Sequence, residues 1–271
     1  SEFMRRLFLS FFAAALCLNA RAELQLTHAT YAGAIRSTDG HVDTDAMVKS
    51  LQELGTSTYY WLIWGPHDWE DLKVFLPKAQ AAGIQVWPYL VPPTESVPHT
   101  HNYSEPFRLD YQLWGEKIAK LSLQFPNLTA WVIDDYYANR DLYTPEYMAE
   151  LQRRMKAINP KLAFLPLMYF NEIDADFVKR YQPVIDGVVV AYPQDREEIA
   201  AARQMLDGRA TVTPGQIRFP NVTHSKANDF ARIEQEAAVT GGAAKIRFED
   251  FDDFPGSTAG YHFCLLYTSP S

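Results

Sequence analysis

The sequence predicts an α/β chain folded as a single-domain (β/α)8 TIM barrel. Three observations carry this. Short apolar runs rich in β-branched and aromatic residues alternate with longer stretches whose apolar residues fall at helical spacing. Eight such strand-then-helix units follow one another, with the eighth helix cut away. Once the two ends are set aside, roughly 240 residues remain, about the size of one barrel. No Gly-x-Gly-x-x-Gly follows the first strand, so an open dinucleotide-binding sheet has no support.

The elements can be read in order. Thr27 to Ile35 is a first strand. Asp43 to Leu54 places Met47, Leu51 and Leu54 on one helical face and stops at Gly55, a helix-end signal. Tyr59 to Trp64 is a second strand, leading into Gly65-Pro66-His67-Asp68. Trp69 to Ala82 is a helix closed by Gly83. Ile84 to Val91 is a third strand, which runs into a Pro-rich loop to Pro106. Leu109 to Gln124 is a helix. The run from Leu128 ends in Ile133-Asp134-Asp135-Tyr136-Tyr137 and reads as a buried fourth strand. Thr144-Pro145-Glu146 opens the next helix with a cap residue and proline at the first position. Leu162 to Phe170, Ile185 to Tyr192, Ala210 to Arg218 and Ala243 to Phe248 are strands five to eight. Helices at Ala175 to Arg180, Arg196 to Leu206 and Asn228 to Val239 lie between them.

The ends read differently. Ser1-Glu2-Phe3 is a vector scar ahead of Met4. Arg5-Arg6, the apolar run Leu7 to Leu18 and Ala20-Arg21-Ala22 have the layout of a bacterial secretory signal peptide, so residues 1–22 are excluded. The run is too short to span a membrane. Residues 264–271 resemble the translated end of a sequencing adapter and are expected to be a non-native tail, which leaves 23–263 as the barrel. Both cysteines, Cys17 and Cys264, fall in the excluded segments. The expected product is exported, periplasmic or extracellular, and held together by its core alone. A formal net charge of −8 argues against nucleic acid and against anionic membrane surfaces as partners. Oligomeric state is not legible in the sequence.

In a barrel the site lies at the C-terminal ends of the strands. Adjacent carboxylates at the end of a buried strand need a reason, because a buried acid is costly unless it is paired or solvated. Asp134 and Asp135 therefore head the candidate site. The other strand ends add Trp64 and His67, Tyr89, Tyr136, then Tyr169, Asn171 and Glu172, then Tyr192, Gln216 and Arg218, and finally Arg247 and Glu249. Arg247 and Glu249 are two apart and share a strand face. Acids, amides and aromatic rings converge here, as a carbohydrate needs: apolar sugar faces lie on rings, and hydroxyls meet acids and amides. The high aromatic content, 14%, fits this picture. A carbohydrate substrate is thus expected, with no cofactor and no metal.

The strand pattern and the Ile133-Asp134-Asp135 end of strand four resemble glycoside hydrolase TIM barrels. Consecutive aspartates at this place are similar to the retaining N-acetylhexosaminidases of the O-GlcNAcase type. That resemblance implies that Asp134 polarises a substrate 2-acetamido group and that Asp135 is the general acid/base. It makes Tyr192 or Asn171 a candidate acetamide contact. Without an acetamido substrate, the partner of Asp135 must come from another strand, Glu249 before Glu172. Asp135→Asn is then expected to abolish turnover and Asp68→Asn to be mild.

Two other classes stay open. A metal-dependent hydrolase would use His67, Asp68, His99, His101 and Asp134, although His99 and His101 lie in a loop rather than on a rigid strand. A sugar-binding barrel without catalysis would keep the pocket and lack the paired carboxylates. A serine or cysteine nucleophile is disfavoured, since there is no Gly-x-Ser-x-Gly and no cysteine between the excluded ends.

Overall fold

The structure is a computed structural model that describes residues 27–32, 34–100, 102–191, 196–207 and 209–212, and the strands 232–240, 243–249 and 265–266. Parallel strand–helix repeats build a curled, partial barrel. Its strands are β1 (Thr27–Ala32), β2 (Thr58–Ile63), β3 (Gln85–Leu90), β4 (Ala130–Ile133), β5 (Ala163–Tyr169), β6 (Val188–Ala191) and β7 (Ala210–Val212). They pair side by side in chain order, each parallel to the next.

The helices α1 (Thr44–Glu53), α2 (Asp68–Ala81), α3 (Tyr111–Ser122), α4 (Pro145–Ile158), α5 (Ala175–Tyr181) and α6 (Arg196–Met205) fall in the crossovers. Local chemistry sets their starts. Asp43, Asp110, Thr144 and Asp174 each accept a hydrogen bond from the backbone three residues on, satisfying a donor the first turn leaves free. At the far ends of α1 and α2, Gly55 and Gly83 adopt φ of +66° and +74°, the left-handed turn that glycine takes without strain.

Strand alternation splits the core in two. One set of side chains, including Trp61, Ile63, Trp131, Ile133 and Phe164, packs outward against Leu72, Phe75, Trp114 and Leu151 of the helices. The other set, Ala29, Tyr60, Tyr89, Val132, Leu167 and Val189, fills the concave inner face. On β4 the inward positions are Ala130 and Val132, so the period of two delivers Asp134 to the inner face at the strand's end.

The eighth unit departs from expectation. Residues Ala243–Glu249 (β9) pair antiparallel with Arg232–Thr240 (β8), in a two-stranded sheet separate from the parallel one. The helix expected at Asn228 to Val239 is thus replaced over most of its length by a strand. The reason is visible in the residues. Thr240 pairs with Ala243, and a Gly-Gly sequence between two apolar runs signals a two-residue hairpin as readily as the helix stop it had been read for. A short strand, β10 (Leu265–Leu266), runs antiparallel to β1. The expected signal peptide and the position of an eighth helix lie outside the described residues.

Candidate active site

The ends of five strands, β1 to β5, and the loops after them form a cavity of about 260 Å³ on the inner face. Its floor and walls are Tyr31, Leu62, Tyr89 and Leu167. Its polar groups are Glu95, Asp134 and Asp135, and Trp64 and Tyr169 stand at its mouth. Trp64 is 49% exposed and Tyr169 42% exposed, so both rings present surface at the opening. Tyr31 stacks on Tyr89 with ring centroids 5.7 Å apart, which makes a continuous aromatic wall.

Backbone pairing aims the acids. The Asp134 N–H donates to Leu90 O at 3.2 Å, and the Tyr136 N–H donates to Leu167 O at 3.1 Å, so β4 stays in register with both neighbours past its last residue. Between these two bonds the chain turns sharply, with Asp135 at φ +37°. Only a few non-glycine residues adopt that region, aspartate and asparagine among them. The turn puts two successive carboxylates on the same cavity, which an ordinary strand would point to opposite faces. The Asp135 N–H donates to Asp134 Oδ1 at 2.9 Å.

The environment makes these acids unequal. Burial pushes the Asp134 carboxyl up, and the negative charges of Asp135 and Glu95 push it further. The Tyr89 hydroxyl and the Asp135 N–H donate to it and oppose the rise, and it settles at about 7. Burial also raises Asp135. Glu95 is raised by burial and by the charge of Asp135. Glu172 is outside the cavity lining, accepts from the Tyr169 N–H at 2.8 Å, and is raised by burial and by Asp135. The result is a carboxyl at about 7 beside two others that burial also raises, in an aromatic cleft.

Of the residues named from sequence, Trp64, Tyr89, Asp134, Asp135 and Tyr169 meet at this cavity. Tyr136 does not. It is fully buried on the helix side and stacks on Tyr143 at 4.8 Å, because at the left-handed Asp135 the chain turns away from the inner face. His67 precedes α2 and stacks on His41 at 4.0 Å, outside the cavity lining. Asn171 is exposed on the one-turn 3-10 helix Phe170–Glu172 and also lies outside the lining. Tyr192, Gln216 and Arg218 lie outside the described residues. Arg247 and Glu249 sit on the antiparallel strand β9, and their side chains are likewise outside the described ones.

Asp68 is spent on structure. It is fully buried, and its carboxylate accepts from Arg36 Nη1 at 2.7 Å, from Arg36 Nη2 at 3.1 Å, from the Trp64 N–H at 2.8 Å and from the Gly65 N–H. It thereby fixes the backbone that presents Trp64. Among the described residues no cluster of His, Cys, Asp and Glu is arranged to hold a metal ion.

Sequence reasoning missed Glu95, Tyr31, Leu62 and Leu167. The last three follow from strand alternation, two residues from other inward positions. Glu95 carried a weaker signal: a lone acid in Pro92-Pro93-Thr94-Glu95, brought back over the cavity by the one-turn 3-10 helix Pro93–Glu95.

No protein-family model matches the chain, and no curated protein matches it. Several enzymes are among the solved structures of similar backbone. A GH2 β-galacturonidase from Eisenbergiella tayi is 15% identical at a TM-score of 0.44, with 72% of this chain covering 37% of that one. A β-glucuronidase from Bacteroides uniformis is 11% identical at a TM-score of 0.47, over 73% of this chain and 26% of that one. A putative deoxyribose-phosphate aldolase from Coccidioides immitis is 11% identical at a TM-score of 0.45, over 72% of this chain and 74% of that one. The chain therefore spans a minor part of the two glycosidases. Likeness at this level, shared by glycosidases and an aldolase, carries no argument about the reaction.

Proposed function

We propose that the protein is an exported glycoside hydrolase whose proton donor is Asp134. The observation that carries this reading is the unequal carboxyl group at the mouth of β4. A carboxyl at about 7, lying beside Asp135 and Glu95 on one aromatic-walled cavity, is what glycosidic cleavage requires. Near neutrality a large fraction of Asp134 is protonated and can give its proton to the leaving oxygen. Asp135 or Glu95, in its ionised form, serves as nucleophile or as the base that activates water. The Tyr89 hydroxyl, already donating to Asp134, holds the carboxyl in place as it becomes charged. Trp64 and Tyr169 offer faces for the sugar rings on either side.

This division of labour makes Asp134 the acid, where the hexosaminidase resemblance gives that role to Asp135. An N-acetylhexosaminide remains within the proposal, with Asp134 orienting the acetamido group instead. Leaving-group chemistry separates the two. The test is sugar release from polysaccharides, alkyl glycosides and activated aryl glycosides, N-acetylhexosaminides included, by wild type, Asp134→Asn and Asp135→Asn. If Asp134 is the acid, Asp134→Asn loses about 10²- to 10⁴-fold on poor leaving groups and far less on activated aryl glycosides, which need little proton help. The wild-type kcat/KM then falls as pH rises through about 7, as the free acid ionises. Equal losses on both leaving-group classes, confined to N-acetyl substrates, would favour the acetamido role. No release from any substrate would refute the hydrolase.

A further inference from the structure

Behind Asp135 lies Asn139, at the end of the one-turn 3-10 helix Tyr137–Asn139 and only 5% exposed. Its side-chain amide reaches two loops that come from different strands. Nδ2 donates to the main-chain oxygen of Asp135 at 2.8 Å and to Thr94 Oγ1 at 2.9 Å. Oδ1 accepts from the Thr94 N–H at 3.0 Å. Both amide hydrogens and the carbonyl are thus engaged, with good lengths and in a buried place. Thr94 immediately precedes Glu95. Asp135 stands at φ +37°, a backbone state that a non-glycine residue keeps only where its surroundings hold it.

From this geometry we infer that Asn139 is the positioning residue of the cavity: it ties the loop bearing Glu95 to the backbone of Asp135 and so sets the separation of those two carboxylates. Asn139 is not itself one of the residues that line the cavity. It acts through Asp135 on one side and through the neighbour of Glu95 on the other. Its kinetic consequence rests on the hydrolase reading, while its geometric consequence does not. The groups that feel a change in this spacing are those already in one another's fields, Glu95, Asp134, Asp135 and Glu172.

The experiment follows the side-chain carboxyl carbons of carbon-13-labelled wild type and Asn139→Ala by NMR across pH. Released loops move the Glu95 and Asp135 midpoints, while a merely structural bolt lowers the melting temperature and leaves both midpoints in place. Unmoved midpoints overturn the inference. On any substrate the wild type turns over, Asn139→Ala is expected to lower kcat about a hundredfold, the scale of a reacting group displaced by about 1 Å, with KM within about twofold. The loss should vanish in a Glu95→Gln background, where the spacing no longer matters, and its full persistence there also overturns the inference. If the wild type turns over nothing and the midpoints still move, the hydrolase reading fails and the positioning role stands. Should Asn139→Ala not fold, Thr94→Val removes only the Oγ1 acceptor. It is expected to move the same midpoints in the same direction by less, and no movement overturns the inference.

Discussion

Burial holds the Asp134 carboxyl at about 7, so folding takes up a proton there. The unfolded group titrates near 3.9, as aspartates ordinarily do. Below about pH 4 both states are protonated, and the site costs nothing. As pH rises towards 7 the unfolded chain ionises freely and the folded chain resists, so stability falls across that window. Asp134→Asn removes the effect. It should match wild type below pH 4 and exceed it at pH 8 by on the order of 2 kcal/mol, a figure well under the full shift because the carboxyl borders an open, water-accessible mouth. Urea unfolding at the two pH values measures this, and an advantage that does not grow with pH would contradict it. Tyr136 makes a second point at this scale. Its hydroxyl is buried with no hydrogen-bond partner among the described residues. Tyr136→Phe should therefore stabilise the fold by about 1 kcal/mol and leave sugar release unchanged. A loss of turnover in that variant would return Tyr136 to the site.

At the scale of elements, the segment from β2 to α2 shows how a site side chain is supported from behind. Asp68 anchors Arg36 and two backbone N–H groups, one of them that of Trp64. The sequence had suggested that Asp68→Asn would be mild. An amide cannot balance the half-buried guanidinium, so the substitution is expected to cost about 2 kcal/mol, read by urea or thermal unfolding, and to loosen Trp64. The six helices and the strands through β7 were legible because apolar spacing, cap residues and terminal glycines all agreed along the chain. The Asp134-Asp135 pair was legible because acids are out of place on so apolar a strand. Glu95 was not, since nothing local tells where a Pro-rich loop folds back. Nor was the outward turn of Tyr136, which depends on one left-handed residue. The strand at 232–240 was misread because Arg232-Ile233-Glu234-Gln235-Glu236 suits a helix or an edge strand equally, and only its antiparallel pairing with 243–249 decides.

For the molecule as a whole, the cavity draws all its described lining from β1 through β5 and the loops that follow them, so its acids are assembled within one continuous stretch of chain. The same stretch holds its main internal conflict. Asp135 adopts a backbone state that glycine reaches without strain, and its charge raises Glu95, Asp134 and Glu172 alike. Asp135→Gly should relieve both effects and raise stability by about 1 kcal/mol, measured by thermal unfolding at pH 8. A lower melting temperature would mean that the turn is already relaxed. Laboratory evolution would feel this directly. A library screened for heat resistance alone should enrich glycine or asparagine at position 135 early, whereas one screened for the proposed hydrolase activity should keep the aspartate and find its stability elsewhere.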